Sequence, residues 1–342
     1  MGILLAITLH HFLILFVPLI LLIGAMRFLL PKWLSKGKAK VSAEELAISP
    51  EHEFVQLSTG ERIFLQYYGD PEAQPIIFIH GWNSYSIQWV FQKCLASKYR
   101  LILLDLPGCG KSDAKIDKKY SPKAFADLLD TVMLHLKPAK AILWGHSIGG
   151  ITIQDFLTRY PEQFSRISAV ILQNTTYTNP LETLPWTKVW MALRRVVLVP
   201  WAYVIIFLSP VFQVFRWLAY YIGLAHLITR FIFFTGRQSP QQLELTAYVS
   251  ASIKPGIFAR GSIGAFRFCE HTALHSIQIP ALILGAACDR LTVYTASKRL
   301  AQIFPKAELH RIDQAGHLSL IEQYEEVNRI AEAFINRVNA DG

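Results

Sequence analysis

The stretch WGHSIGG, residues 144–150, closes an apolar run, KAILWGH (140–146), and leads into a helical pattern, GGITIQDFLTRY (149–160). Gly145-His146-Ser147-Ile148-Gly149 matches G-x-S-x-G, and the strand-to-helix setting gives that common pentapeptide its meaning. A serine on so sharp a turn has unfavourable φ and ψ, so the residues two places away must be small. The helix that follows points its positive N-terminal end at the hydroxyl and favours negative charge there. The same five residues also read as a glycine-rich turn without chemistry. The rest of the chain has to decide.

Acyl transfer at a serine needs two backbone donors for the oxyanion, a base, and an acid that orients the base. One donor is the amide of the residue after the nucleophile, Ile148. The other belongs to the loop after the third strand, His80-Gly81-Trp82, where Gly81 permits a tight turn that presents the Trp82 amide. The base belongs after the last strand, and DQAGHLSL puts His317 there. The acid belongs after the preceding strand, and LILGAACDRLT puts Asp289 there. The order Ser147, Asp289, His317 is the one expected of this arrangement. Asp313 is a rival acid, but it lies close to His317 and within a strand end. The point after the sixth strand, another place for the acid, holds Asn174 among threonines. His80, Gly81, Gly145, His146 and Gly149 are expected to shape the site. No metal or organic cofactor is called for. The four cysteines, Cys94, Cys109, Cys269 and Cys288, lack metal-ligand spacing and read as unpaired thiols in a reducing compartment.

Outward from this centre, HEFVQLST (52–59) and ERIFLQYYG (61–69) predict a hairpin around Thr59-Gly60. PIIFIH (75–80), YRLILLDL (99–106), KAILWGH, ISAVILQN (167–174), PALILGA (280–286) and AELHRID (307–313) predict further strands. Helical patterns cover 121–136, with a Ser121 cap and Pro122 in the first turn, and 149–160, 292–304 and 318–338. Apolar strands alternating with helices predict an α/β fold, a mostly parallel eight-stranded sheet with helices on both faces. Residues 175–276 hold no clear strand and read as a helical cap inserted after the sixth strand. From 183 to 243 there is no acid, only cations including Lys188, Arg194, Arg195, Arg216 and Arg230.

Of the 342 residues 52% are hydrophobic, and mean hydropathy is +0.30. That excludes disorder and suits one sizeable core. Residues 3–26 carry no Asp, Glu, Lys or Arg and are long enough to span a bilayer. A secretory signal would want a basic start and a small-residue cleavage site, and N-myristoylation a Ser or Thr at position 6, which is Ala. Arg27, Lys32, Lys36, Lys38 and Lys40 follow, and such flanks stay cytoplasmic. The expected organisation is a membrane anchor over 1–30, a basic linker over 31–50, a core over 51–175 and 277–342, and a hydrophobic cap over 176–276. The catalytic domain is then cytoplasmic on a single-pass N-terminal anchor.

Residues 196–215 of the cap are also uncharged and long enough to cross. However, Ser147 precedes them while Asp289 and His317 follow, so crossings between must be even in number. A two-span hairpin would turn at Arg216-Trp217, and Pro200 and Pro210 would break its first arm. The cap is therefore expected to lie on the leaflet, with aromatic side chains at the interface and arginines toward anionic lipid.

HGW, DLPGCGKSD, GHSIGG, CDRLT and AGHLSLIE together resemble the α/β-hydrolase family, serine branch, across residues 50–339. The text through the cap is similar to membrane-anchored bacterial hydrolases of unassigned substrate. The resemblance also settles RLILLDLPGCGKSD (100–113), whose Gly-Lys-Ser looks like the tail of a phosphate loop. G-x-x-x-x-G-K-[ST] would place its first glycine where Asp105 stands, and no apolar helix follows. The stretch is similar to the family's D-x-P-G-x-G-x-S turn and implies no nucleotide. What the family implies is hydrolysis of a carboxylic ester, small or lipid-like, with the membrane as partner and no nucleic acid. Acyl transfer or thioester cleavage on the same residues is the alternative. A non-catalytic membrane-bound binding module is a further one, against which the complete set of site residues speaks.

Overall fold

In the computed structural model, residues 17–18, 24–115, 117, 119–269 and 272–341 are described. Of the expected anchor, residues 1–30, only 17–18 and 24–30 are among them.

The sheet has eight strands in the order β1-β2-β4-β3-β5-β6-β7-β8. β1 (His52–Gln56) pairs antiparallel with β2 (Arg62–Tyr68), and β2 pairs antiparallel with β4 (Arg100–Leu104). The remaining pairings, among β4, β3 (Pro75–Ile79), β5 (Ala141–His146), β6 (Ile167–Gln173), β7 (Ala281–Ala286) and β8 (Ala307–Ile312), are parallel. Both faces of the central strands are covered, which is why they read as continuous apolar runs rather than alternating ones. Along β3, Ile77 and Ile79 feed the core on one face while Ile76 and Phe78 feed the other. In β5, Leu143 opposes Ile142 and Trp144 in the same way. Helix Pro122–Leu136 starts as its sequence predicts, with Ser121 Oγ accepting from the Ala124 amide. The helix expected over 318–338 is instead two, Ser319–Glu322 and Tyr324–Asp341. The chain breaks at Gln323 (φ −127°, ψ 42°), just after Glu322 has turned inward.

The segment inserted after β6 is helical, and no strand occurs between β6 and β7 among the described residues. Two expectations about it need correction. Pro200 does not break the helix, which runs Thr187–Phe207. Residues Arg194–Leu198 form a π-turn just before it. That wider turn leaves Pro200 in the first turn of the next α segment, where its missing donor and its ring are tolerated. Nor does the chain turn at Arg216-Trp217, which lie inside helix Ser209–Tyr221. The turns fall at Leu208 and at Ile222-Gly223.

Residues 34–41, read from sequence as part of a basic linker, pack against the inserted segment. Leu34 is buried, the Lys36 and Gly37 amides donate to Gly236 O and Gln238 O, both at 3.0 Å, and Val41 N donates to Gln241 Oε1. Residues 24–33 are helical, and there Arg27 grips Glu244 through both guanidinium nitrogens at 2.8 and 2.6 Å. His226 Nε2 donates to the same carboxylate at 2.9 Å. Burial pushes the Glu244 carboxyl up, but these bonds and one from Tyr220 outweigh it and hold it at about 2. The lysines of this stretch face solvent, while its backbone is tied down. Charge patterning alone does not reveal that.

Candidate active site

Ser147 directly follows β5 with φ 52° and ψ −117°, outside the regions that L-residues favour. Its glycine neighbours are required sterically. A Cβ on Gly145 would come within 2.5 Å of the Gly149 carbonyl, and one on Gly149 within 2.1 Å of Ile79 O. Helix Ile148–Arg159 begins at once, so its first amides are free of intrahelical partners. The Ser147 amide donates to Gln173 O at 3.0 Å, and Thr175 Oγ1 donates to Ser147 O at 2.7 Å. These bonds fix the turn against the end of β6.

His317 and Asp289 meet. The His317 Nδ1–H donates to Asp289 Oδ2 at 2.8 Å, and both residues are buried. Asp289 Oδ1 accepts the amides of Leu291 and Thr292, while Oδ2 also accepts from Thr292 Oγ1 and from Asn174 Nδ2 at 2.9 Å. Burial raises the Asp289 carboxyl, but the His317 ring and the Thr292 donors outweigh it and hold it below its ordinary value. The carboxylate therefore stays charged and fixes the His317 proton on Nδ1, leaving Nε2 as the basic nitrogen. Asp313, the rival acid, points outward and pairs with Arg311 at 2.9 Å. Among the described residues no hydrogen bond joins Ser147 Oγ to His317. The two are linked through His146, whose Nε2–H donates to His317 O at 2.9 Å and whose ring lies 4.8 Å from that of His317.

The two other histidines are held neutral. Burial lowers His80 to about 4 and His146 to about 3. His80 Nε2 accepts from the Leu106 amide at 2.9 Å, so its Nδ1–H donates to Gly81 O at 2.8 Å and braces the loop that carries Trp82. Trp82, Asn83, His146, His317, Thr246 and Ser250 line a cavity of about 40 Å³ roofed by the cap. Ser147 is not among its lining residues.

Three residues here carry structural roles that sequence reasoning did not assign. Asn174, noted only as a non-acid, donates to Asp289. Glu322 accepts the amides of Thr235, Gly236, Arg237 and Gly316, and so clamps the end of the cap to the loop before His317. Arg216, expected to face lipid, is turned inward. It donates to Asn83 Oδ1 at 2.6 Å and Ile253 O at 2.9 Å, and also to Ser250 O. Burial lowers its guanidinium to about 10. A cation with only carbonyl partners leaves no charge complement to find in sequence.

The Asp105 turn explains the false phosphate loop. The Asp105 carboxylate already accepts the Ser86 and Lys111 amides at 2.7 and 2.8 Å, and burial raises it to about 6. It takes the amides that a phosphate would need. Gly110 sits at φ 53°, and a Cβ there would lie 2.0 Å from Asp105 Oδ2. Gly110→Ala should therefore destabilise the fold by about 1–3 kcal/mol, measurable as a fall in urea midpoint. An unchanged midpoint would mean the turn is not built this way.

A parallel sheet with a serine on a strained turn after β5, a buried Asp after β7 and its His after β8 agrees with the comparisons. A family profile described as alpha/beta hydrolase fold matches residues 74–197. The chain has the α/β-hydrolase fold. The uncharacterized hydrolase YugF of Bacillus subtilis is 31% identical over 134 residues, 38% of this chain and 47% of that protein, so the match spans about half of that relative's length. A 2-hydroxy-6-oxononadienedioate/2-hydroxy-6-oxononatrienedioate hydrolase of Dechloromonas aromatica is 23% identical over 86% of this chain and 98% of its own. A thermophilic esterase from Thermogutta terrifontis superposes with a TM-score of 0.68 at 23% identity, covering 84% of this chain and 99% of the esterase.

Proposed function

We propose that this α/β hydrolase is a membrane-associated serine hydrolase that cleaves carboxylic esters, lipid-like ones above all. The carrying observation is the buried His317–Asp289 pair beside the strained Ser147 turn. In the mechanism, His317 Nε2 takes the Ser147 proton as Oγ attacks the ester carbonyl. The Ile148 and Trp82 amides receive the oxyanion, and the Asp289 carboxylate steadies the imidazolium. Collapse expels the alcohol, which takes the proton from His317. Water activated by the same imidazole then attacks the acyl-enzyme, releasing the acid and restoring the serine. Esterase and hydrolase relatives support an ester substrate.

The apolar cap surface supports the membrane reading. Helix Thr187–Phe207 is long and apolar enough to cross a bilayer, yet only 6% of its apolar window is buried. Val196, Trp201 and Phe207 are all exposed on it, Trp186 is exposed just before it, and Phe28 and Trp33 are exposed on the helical stretch 24–33. Because the site residues flank this segment, we place the helix in the plane of the leaflet, on the membrane that the anchor expected over residues 1–30 would enter. The structural ties of residues 27–41 decide how the anchor should be tested. Deleting residues 1–23 should leave turnover of a soluble aryl ester within about threefold, since nothing in the site is touched, and should weaken retention on phosphatidylglycerol vesicles. Deleting 1–40 also strips Arg27 and buried Leu34, and should cost at least about 2 kcal/mol of stability. Flotation, esterase rates and melting curves on the two truncations check this. Full vesicle retention by the 1–23 deletion would show that the anchor is not the main attachment. Failure of the full-length chain to cleave any glyceride, phospholipid or aryl ester would defeat the hydrolase reading.

A further inference from the structure

The loop that carries the proposed oxyanion donor is fastened to the cap at two successive residues. The Trp82 indole N–H donates to Phe258 O at 2.8 Å, from helix Pro255–Ala265. Asn83 Oδ1 accepts from Arg216 Nη2 at 2.6 Å, from helix Ser209–Tyr221. Asn83 has φ 67°, a conformation that needs support from its surroundings. Arg216 is itself fixed by the carbonyls of Ser250 and Ile253 and lies 6.0 Å over the Phe258 ring. No carboxylate within ion-pair distance of it is recorded among the described residues. A buried guanidinium that spends its donors on three carbonyl oxygens from two parts of the molecule is a geometric device, because its planar fork fixes directions that a lysine cannot.

The cavity beneath is small. About 40 Å³ holds no more than about three waters, too little for an acyl chain with the cap seated as it is here. Over the cavity lie Leu245, Thr246, Val249 and Ser250 of helix Pro240–Ser252, and Arg216 holds that helix through the Ser250 carbonyl.

We propose that Arg216 is a positioning residue: through Asn83 it sets the loop bearing the Trp82 amide, so that the oxyanion site is assembled only when the cap is seated. This rests on the ester-hydrolase reading above and adds a coupling between cap and chemistry. Substrate that lets the cap reseat over it restores the loop and is turned over. With the cap displaced, the Ile148 amide remains in place, but the second donor is lost.

The test uses full-length protein in detergent and a soluble aryl ester. Arg216→Lys keeps the charge and loses the fork. Asn83→Gly removes the acceptor while tolerating the positive φ. Asn83→Asp keeps an acceptor for Arg216 and is the rescue. Arg216→Lys and Asn83→Gly should each lower kcat by about 10- to 100-fold, approaching the loss of one oxyanion donor, with KM within about threefold. Asn83→Asp should stay within about threefold of wild type, and the double variant Arg216→Lys/Asn83→Gly should be no worse than the poorer single one, since both act on one element. A purely structural role would lower the melting temperature and leave kcat per folded molecule unchanged. That result, or losses that multiply in the double variant, overturns the inference. Should Arg216→Lys fail to fold, Asn83→Gly against Asn83→Asp decides alone. Wild-type protein inert toward every ester would defeat the hydrolase reading and this inference together. An active wild type matched by both single variants would defeat only the inference.

Discussion

Ser147→Ala is expected to reduce ester turnover by at least about 10⁴-fold, because the other members of a nucleophile–base–acid set contribute little once the nucleophile is gone. The loss should come without unfolding. Alanine has the same Cβ that serine already carries at φ 52°, so the turn is no more strained. The turn is secured by main-chain atoms, the Ser147 amide to Gln173 O and the Ser147 carbonyl to Thr175 Oγ1, and alanine keeps both. Steady-state rates alongside a melting curve check both halves. A variant that melts like wild type and retains its rate would remove Ser147 from the chemistry.

The second large effect is expected at Asp289. Asparagine there keeps the size but presents an amide to His317 Nδ1, which favours the tautomer with its proton on Nε2. The base then has no lone pair toward Ser147, and kcat should fall by roughly 10⁴-fold. Asp313→Asn should change little beside it, since Asp313 is exposed and pairs with Arg311. If Asp313→Asn proved the more damaging variant, the acid would have to be reassigned.

The places of these residues at strand ends could be read from sequence for a physical reason. A sheet buried on both faces forces continuous apolar runs, so the strands and the points where they end are visible in the text. Ser147, Asp289 and His317 each follow such an end by one to five positions. The hairpin around Thr59-Gly60 and the Ser121-Pro122 helix start are likewise local signals, resolved by residues within a few places of one another. What sequence could not show are bonds between distant residues that involve no matched charges. Arg216 sits in an acid-free stretch and looks like a surface cation, but its partners are Asn83, 133 residues away, and two cap carbonyls. Asn174 reads as a vacancy for an acid and in fact donates to Asp289, 115 residues on. Residues 34–41 look like a solvated basic linker because the lysine side chains are solvated, while the backbone pairs with the cap. Pro200 looks like a helix breaker because the π-turn that accommodates it, Arg194–Leu198, has no signature in an apolar run.

The central claim is that Ser147 is a nucleophile activated by His317. It is tested most directly by treating the full-length protein with a fluorophosphonate and locating the adduct by peptide mass spectrometry. Only an activated serine reacts at an appreciable rate. The account predicts one adduct per chain, on the peptide containing Gly145-His146-Ser147, absent from Ser147→Ala and from His317→Ala. Folded wild-type protein that takes no label, or takes it on another serine, would contradict it.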